Sequence, residues 1–394
     1  MDSPRGRIVL MKGLAEGTLE YSDTVVGHFD RCLGCMACVT ACPSGVKYDV
    51  LIEDTRANIE KHHRRGFADR LHRKMIFTLF PYPKRLKTLA AVLILYSRSG
   101  LQFLVRKSGL FKLLPARLRQ LDALMPPMST RQLTAALPAV TPAKGPARAR
   151  VGLLAGCVQR VFFPGVNEAT LRVLSAEGCE VIVPGGQGCC GALSMHAGRD
   201  EEAMRFARSL IREFENAAVD VILVNAAGCG SHLKDLGRIL ANDPQWCERA
   251  ARFSKRVKDI NEFLASLPPV AKRNPLKARV AYHDACHLAH AQRIRSAPRQ
   301  LLRGIPELQL LEIPDGDQCC GSAGIYNLIQ PESADEIGAR KANNVLSTLP
   351  DLLASANPGC TLQIQKILRE RGQTLRAVHP IEVLDASISG TRLG

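Results

Sequence analysis

Apolar residues recur in short strand-like runs, and the order of these runs in the middle of the chain is repeated in its last third. "RVGLLAGC", ending at Cys157, corresponds to "RVAYHDAC", ending at Cys286; "CEVIVPGGQGCCG" corresponds to "LLEIPDGDQCCG"; and "VDVILVNAAGC", ending at Cys229, corresponds to "PDLLASANPGC", ending at Cys360. Between the runs, segments such as "EEAMRFARSLIREFENA" and "ADEIGARKANNVLSTL" have the period of amphipathic helices. Strands alternating with helices predict parallel sheets with crossover helices.

The repeated cysteines therefore follow the predicted carboxyl ends of strands, where open α/β sheets bind ligands. Upstream of the repeat, residues 61–125 have helical patterning, as in "ADRLHRKMIFTLF" and "LPARLRQLDALM", and a proline-rich stretch then indicates a linker. We divide the chain into five predicted domains or connectors: 1–60, 61–125, 126–150, 151–270 and 275–394.

Length and cysteine content together indicate metal ligands rather than disulfides. A chain of 394 residues can bury cores without cross-links. The start "MDSPRGRIVLMKG" has no secretory pattern, so we expect a reducing cytoplasm in which fourteen cysteines remain thiols. The longest apolar run, "LAAVLILY", is far shorter than the ~20 residues of a membrane-spanning helix.

The net charge of +16 is concentrated in residues 61–120, which carry fifteen Lys and Arg but one acid. Such a segment suits anionic lipid, nucleic acid or an acidic partner. Nucleic acid is not expected, because no aromatic side chains are interleaved to stack bases. Two interpretations stay open: attachment to a membrane surface beside a quinone pool, or the solvated faces of helices whose apolar sides are buried.

The first cysteine group lies in "CLGCMACVTACPSG". Cys32, Cys35, Cys38 and Cys42, followed by Pro43, form the C-x2-C-x2-C-x3-C-P run typical of bacterial ferredoxins. The run predicts a 4Fe–4S cluster, because its irons prefer soft sulfur ligands. A structural zinc site is the alternative, but zinc usually takes its ligands as two separated pairs.

Each half of the repeat contains two adjacent cysteines before a glycine. Adjacent thiolates crowd a single ion but can bind two neighbouring irons of a cluster, and the glycine allows the backbone to approach closely. We expect one such cluster in one or both halves, the alternative being that one half binds zinc or is purely structural. The candidate ligands are Cys157, Cys189, Cys190 and Cys229 in the first half and Cys286, Cys319, Cys320 and Cys360 in the second.

The Cys-Cys-Gly repeats resemble the cysteine-rich domains of heterodisulfide reductase and of lactate-utilisation proteins. "SPRGRIVLMKGLAEG", "FDRCLGCMACVTACPSGVKYD", "AGCVQR" and "CCGSAGIYNL" narrow the resemblance to the glycolate oxidase iron-sulfur subunit, over essentially the full chain. The resemblance implies an α/β fold in which a helical ferredoxin-like N-terminal domain is followed by two tandem, pseudo-symmetric α/β cysteine-rich domains with parallel sheets.

The same resemblance implies an electron-transfer subunit that is inactive alone. Partner subunits would carry FAD and oxidise glycolate or a similar 2-hydroxy acid, and the electrons would pass to the quinone pool. The expected location is the cytoplasm, with peripheral attachment to the inner face of the membrane as an option. "GGQGCCG" leads into a cysteine pair rather than a phosphate-binding turn, so no dinucleotide site is expected in this chain.

Two departures from the related families affect these expectations. The family usually has two ferredoxin runs, and this chain starts just after the place of the first, through a start codon assigned too late or through a real loss. A real loss predicts a labile 3Fe–4S cluster at Cys32, Cys35 and Cys38. The repeats also end in His232 and Gln363, where heterodisulfide reductase has a further cysteine, which argues against disulfide chemistry.

Several residues have a functional and a structural interpretation. The three histidines of "HDACHLAH" and His232 could be substitute ligands or proton donors, or could serve packing alone. Cys179 and Cys247 match no ligand spacing, and we predict that both are buried as small apolar residues. The histidines of that segment are His283, His287 and His290.

Three alternative functions remain open at this stage. The chain could be a heterodisulfide or quinone reductase in its own right, with the substrate at a paired-cysteine cluster. It could belong to a D-lactate or glycerol 3-phosphate dehydrogenase. It could also be a non-redox assembly module whose cysteines bind zinc.

Overall fold

The computed structural model describes residues 1–109 and 115–393. Upstream of the repeat the described residues are helical, as the patterning predicts. The helices there are α1 (Pro4–Ala15), α2 (Asp23–Asp30), α3 (Ala37–Thr40), α4 (Tyr48–His62), α5 (Phe67–Leu79), α6 (Pro83–Arg98) and α7 (Leu101–Lys107), followed by Ala116–Leu124 and Arg131–Thr134.

A first sheet has the order β1-β3-β2-β4-β5. Its strands are β1 (Val140–Thr141), β2 (Ala149–Leu154), β3 (Cys179–Ile182), β4 (Val221–Val224) and β5 (Val257–Asp259). The pairs among β2 to β5 are parallel, whereas β1 pairs antiparallel with β3. The helices of this part are Val158–Phe162, Pro164–Ala176, Ala192–His196, Asp200–Asn216, Ala227–Lys234, Leu236–Ile239, Cys247–Arg256 and Ile260–Ala265.

A second sheet has the order β7-β6-β8-β9 and is parallel throughout. Its strands are β6 (Ala278–His283), β7 (Leu308–Glu312), β8 (Leu352–Ser355) and β9 (Arg376–Val378). The helices are Ser296–Arg303, Tyr326–Ile329, Pro331–Leu346, Pro358–Glu370 and Pro380–Ser389, with a π-helical turn at His287–Ala291. The predicted α/β class with parallel sheets is confirmed.

Amphipathic crossover helices cover the sheets for the reason that the sequence indicates. In Asp200–Asn216, Ala203, Ala207, Leu210 and Phe214 are buried at helical spacing. The first turn of this helix carries three acidic residues, which interact favourably with the positive end of the helix dipole.

The two sheets share one apolar core. Val151 of β2 and Val280 and Tyr282 of β6 belong to the same buried cluster. The helices Pro164–Ala176 and Pro380–Ser389, one from each half, pack against each other. This core fixes the two halves relative to one another. Among the described residues, no helix is long and apolar enough to span a membrane.

Candidate metal centres

The structure brings together the four candidate cysteines of the first half, which we call the first-half site. Cys157 follows β2, the Cys189–Cys190 pair follows β3, and Cys229 lies in the first turn of the helix after β4. The Sγ atoms of Cys157 and Cys189 are 3.6 Å apart. The thiol of Cys190 is hydrogen-bonded to those of Cys189 and Cys229. Parallel strands place their carboxyl ends along one edge, so distant cysteines meet there.

The second-half site repeats this arrangement with Cys286, Cys319, Cys320 and Cys360. Cys286 follows β6, and Cys360 lies in the first turn of the helix after β8. The thiol of Cys286 is hydrogen-bonded to that of Cys319, and the thiol of Cys320 to that of Cys360. All four side chains are buried.

The glycine after each cysteine pair is required by the backbone. Gly191 has φ +93° and Gly321 has φ +88°, in the left-handed region that side chains disfavour. A Cβ on Gly191 would lie 2.8 Å from the carbonyl oxygen of Ala203. Because Gly191 has no side chain, the chain can form this turn, and the backbone N–H of Gly191 donates to Cys189 Sγ at 3.4 Å.

Three cysteines of the ferredoxin-type run form an N-terminal site. Cys32 Sγ accepts hydrogen bonds from the hydroxyl of Tyr48, at 3.6 Å, and from the N–H of Gly34, at 3.4 Å. Burial raises the pKa of Cys38 to about 11, and the neighbouring thiols of Cys35 and Cys32 act in the same direction.

Cys42 lies apart from that group in its interactions. Its partly exposed thiol accepts hydrogen bonds from backbone N–H groups of its own loop, foremost that of Val46 and also those of Ser44 and Gly45. These bonds lower the pKa of Cys42, and the positive charge of Arg5 contributes. The structure thus groups three of the four predicted ligands of this run.

The N-terminal site adjoins the second-half site. Burial raises the pKa of Cys35, the N–H of Ala37 opposes the rise, and the thiol of Cys286 adds to it. The hydrogen bond with Cys286 lowers the pKa of Cys319, but the thiol of Cys320 and burial raise it well above its usual value, and the charge of Cys35 adds to this rise. The thiols of the two sites are therefore close enough to interact electrostatically.

His287 connects all three sites. It follows Cys286 directly, its Nε2 lies 3.0 Å from the carbonyl oxygen of Gly34, and its Nδ1 lies 3.0 Å from Oγ of Ser231. Because a carbonyl only accepts, Nε2 is the donor and Nδ1 is the acceptor from Ser231. Burial lowers the pKa of His287 to about 4, which keeps the ring neutral at pH 7.

Arg56 of α4 links the N-terminal site to the first half. Its Nη2 donates to the carbonyl oxygen of Cys32 at 2.5 Å, and its Nη1 donates to that of His196 at 2.9 Å. Glu53, one turn earlier, accepts from Arg238 at 3.0 Å and lies 3.2 Å from Nδ1 of His196. No sequence pattern indicates these contacts with the first half, because those partners are more than a hundred residues away along the chain.

The histidines around the repeat fall into different environments. His290 is hydrogen-bonded to Thr40 and to the backbone of Asp317, which is a structural role. His232 and His283 are buried, and the ring nitrogens of both have no hydrogen-bond partner among the described residues. Burial lowers the pKa of His232 to about 4 and that of His283 to about 3.

The two cysteines without a ligand spacing differ in exposure. Cys179 lies on β3 and is fully buried, as predicted. The prediction was wrong for Cys247, whose side chain is only partly buried. It begins the helix Cys247–Arg256, whose buried residues are Ala250 and Phe253, so the thiol lies off the apolar stripe.

The donor set fits iron–sulfur clusters. All described cysteines are free thiols, although those of each site are in contact. The hydrogen bond with Cys189, followed by burial, holds the pKa of Cys157 well above its usual value. A bound metal would reverse this, since a coordinating thiol is deprotonated. Soft sulfur donors in a buried pocket suit iron in a cluster.

The fold and the clustered thiols define an iron–sulfur protein of the oxidoreductase class, and comparisons with known proteins agree. The 4Fe-4S binding domain family matches residues 25–48, and the cysteine-rich domain family matches 151–234 and 280–365. The linker region of the glycolate oxidase iron-sulfur subunit matches 68–125.

Full-length relatives make the assignment specific. The chain is 39% identical to the probable glycolate oxidase iron-sulfur subunit of Bacillus subtilis, over 97% of this chain and 87% of the relative. It is 32% identical to the glycolate oxidase iron-sulfur subunit of Escherichia coli, over 98% and 88%. Lactate utilization protein A of Oceanobacillus iheyensis is 28% identical over 61% of this chain and 98% of the relative. The chain belongs to the glycolate oxidase iron-sulfur subunit family.

Proposed function

We propose that this chain is the electron-transfer subunit of a glycolate oxidase-like complex. A partner subunit that carries FAD would oxidise glycolate or a similar 2-hydroxy acid, and a quinone would receive the electrons. The clusters, when bound, supply one-electron chemistry between the two-electron flavin and the quinone. The full-length similarity to two iron-sulfur subunits of this kind supports the proposal.

The observation that carries the proposal is the meeting of three cysteine sites around His287. Electron transfer becomes rapidly slower as redox centres move apart, so a chain that works as a conduit must hold its centres close together. The ring and backbone of His287 join three residues, one from each site or directly beside it: Gly34, Cys286 and Ser231. An assembly module with separate structural metal sites has no need of this arrangement.

We propose that up to eleven of the twelve candidate cysteines, all but Cys42, hold these clusters, with one cluster in the N-terminal site and one in either or both halves of the repeat. The chain's own contribution is to position them and to donate hydrogen bonds to sulfur. Tyr48 and the N–H groups of Gly34, Gly191 and Gly321 provide such bonds. Hydrogen bonds to cluster sulfur and burial tune reduction potentials.

A basic–apolar face on α6 and α7 suits attachment to the membrane that contains the quinone. We define this face as Val92, Leu95, Phe103 and Leu104, whose side chains are 59–70% exposed, together with the exposed Lys84, Lys87, Arg98 and Lys107. The interpretation that the apolar run "LAAVLILY" is simply buried holds for Ala90 and Ile94 but not for Val92 and Leu95. Each Lys or Arg near anionic lipid contributes ~1 kcal/mol of attraction.

The decisive experiment is anaerobic co-purification with the native partner subunits, followed by assay of 2-hydroxy acids against a quinone analogue. We expect glycolate to bleach the cluster absorption only when the flavin subunit is present. Cys157→Ser and Cys286→Ser should reduce turnover, while Cys247→Ser, outside all three sites, should not. A protein that contains zinc without acid-labile sulfide would contradict the proposal.

Lactate is the second candidate substrate. The similarity to Lactate utilization protein A covers 98% of that relative, although only 61% of this chain. The same assay distinguishes the two, because the preferred hydroxy acid is the one with the higher kcat/KM. A heterodisulfide reduced by the isolated chain would instead favour a reductase.

A further inference from the structure

The two halves of the repeat differ at one position that faces the cysteines. His283 is the last residue of β6 and pairs in the sheet with Ser355. The equivalent residue of the first half is Leu154, the last of β2, which pairs with Val224. The sequence offsets are the ones that relate Cys157 to Cys286 and Cys229 to Cys360. An apolar pair in one half is thus a polar pair in the other.

The polar pair has no hydrogen-bond partner among the described residues. Neither ring nitrogen of His283 is bonded, nor is the hydroxyl of Ser355, and both side chains are buried. Leu154 and Val224, by contrast, belong to an apolar cluster that also contains Cys189 and is satisfied without a ligand. Burying an unpaired imidazole costs free energy, so a ligand that pairs with it is favoured.

His283 is directed at the sulfur atoms of the second-half site. One of its ring nitrogens and the Sγ atoms of Cys320 and Cys360 lie within 4.8 Å of one another. Zinc forms bonds of about 2.0 Å to imidazole nitrogen and about 2.3 Å to thiolate sulfur, and a first-row metal ion of similar size fits between the three atoms once they move slightly closer together. Imidazole is an established partner of thiolates in iron–sulfur centres.

We propose that His283 is a fifth protein ligand of the second-half site and binds an iron that Cys320 or Cys360 also binds. The proposal rests on the proposed presence of a cluster at this site. It makes the two halves chemically different at this position: the first half has Leu154 there, and the second has a neutral nitrogen donor.

The test is pulsed EPR of the reduced, anaerobically reconstituted full chain, prepared with ordinary and with isotopically labelled histidine. We expect a strong nitrogen coupling, of the size that direct coordination produces, which changes on labelling. His283→Leu, which introduces the residue found at this position in the first half, should abolish the coupling while the protein keeps its acid-labile sulfide. The labelled wild-type protein needs no substitution, so the test does not depend on the variant folding.

The matched control is His232→Leu, which removes another buried histidine without hydrogen-bond partners among the described residues. It should leave the coupling intact, because His232 neighbours Gly191 of the first half. A sulfide-containing protein without strong coupling, or one whose coupling survives His283→Leu or is lost in His232→Leu, would overturn the inference alone. A protein without sulfide would overturn both the inference and the proposed function.

Discussion

Gly191 shows how much of a metal site depends on one backbone position. We expect Gly191→Ala to destabilise the protein by about 1–3 kcal/mol, because left-handed backbone is costly for alanine and the new Cβ would contact Ala203. Thermal unfolding and the iron content of the purified protein measure this. Gly188→Ala in the same loop is the control, since a Cβ there meets no atom within 4 Å. Equal losses in both variants would refute the explanation.

Cys42 is the candidate ligand whose role can be tested most directly. Because its thiol is bonded to its own loop while Cys32, Cys35 and Cys38 are grouped, we expect Cys42→Ser to leave the EPR signal of the N-terminal site unchanged. Cys38→Ser should abolish that signal. The signal should be that of a labile 3Fe–4S form in the isolated chain. A stable 4Fe–4S signal that disappears in Cys42→Ser would show that Cys42 closes its own cluster.

Residue spacing predicts the candidate ligands where they are close together in the sequence or recur in both halves of the repeat. The cysteine pairs, their glycines and the strand-end cysteines could be found from "CCG" and from the offsets of the repeat. The special position of His283 could not, because a histidine in "HDACHLAH" has the same appearance whether its ring nitrogens are paired, as in His290, or unpaired. Only three-dimensional packing separates the two.

At the scale of elements, α6 and α7 present the basic–apolar face. We expect the full chain to sediment with vesicles rich in phosphatidylserine, and less with neutral vesicles or at high salt, because screening weakens the attraction. Leu95→Asp should reduce binding at least several-fold, since it removes an apolar contact and adds a repulsive charge.

The matched control for this face is Leu349→Asp. Leu349 is 71% exposed, similar to Leu95 at 70%, and the substitution changes the charge equally. If both variants bind vesicles like the wild-type protein, the face is an ordinary solvated surface. If binding is equal on neutral and anionic vesicles, the basic residues do not take part.

Most elements followed from periodicity, and the exceptions have physical reasons. The helical segments and the strands before each cysteine correspond to apolar runs of the expected length. β1 was not foreseen, because its two residues lie among the prolines of the predicted linker and gain their structure only by pairing with β3. Such a short strand has no pattern of its own.

At the scale of the whole molecule, the three sites meet because two sheets share a core and α4 is tied to both the N-terminal site and the first half. His287 and Gly34 are 253 residues apart, and no local pattern reports such a contact. The sequence therefore predicts three sites but not their adjacency. The adjacency is what allows three separate motifs to act as the conduit that we propose.

Buried neutral histidines also make global stability depend on pH. Burial lowers the pKa of His379 to about 3, although the nearby backbone of Asn225 acts in the opposite direction. An unfolded histidine has a pKa near 6.5, so between about pH 6.5 and 3 the unfolded chain binds more protons and stability falls as pH falls. Above pH 6.5 the residue has no such effect.

We expect His379→Asn to reduce this acid sensitivity. Nδ1 of His379 caps the helix Pro380–Ser389 by accepting from the N–H of Ile381 at 3.1 Å, and asparagine can cap without titrating. In urea unfolding at a series of pH values, the free energies of unfolding of the variant and of the wild-type protein should depend equally on pH above 6.5. At pH 5 the stability of the variant relative to the wild-type protein should be about 2 kcal/mol higher than it is at neutral pH. Each pH unit below 6.5 should widen the difference by about 1.4 kcal/mol until pH 3. Parallel curves over the whole range would mean that the pKa of His379 is the same in the folded and the unfolded protein, and the acid sensitivity would then have to come from other groups.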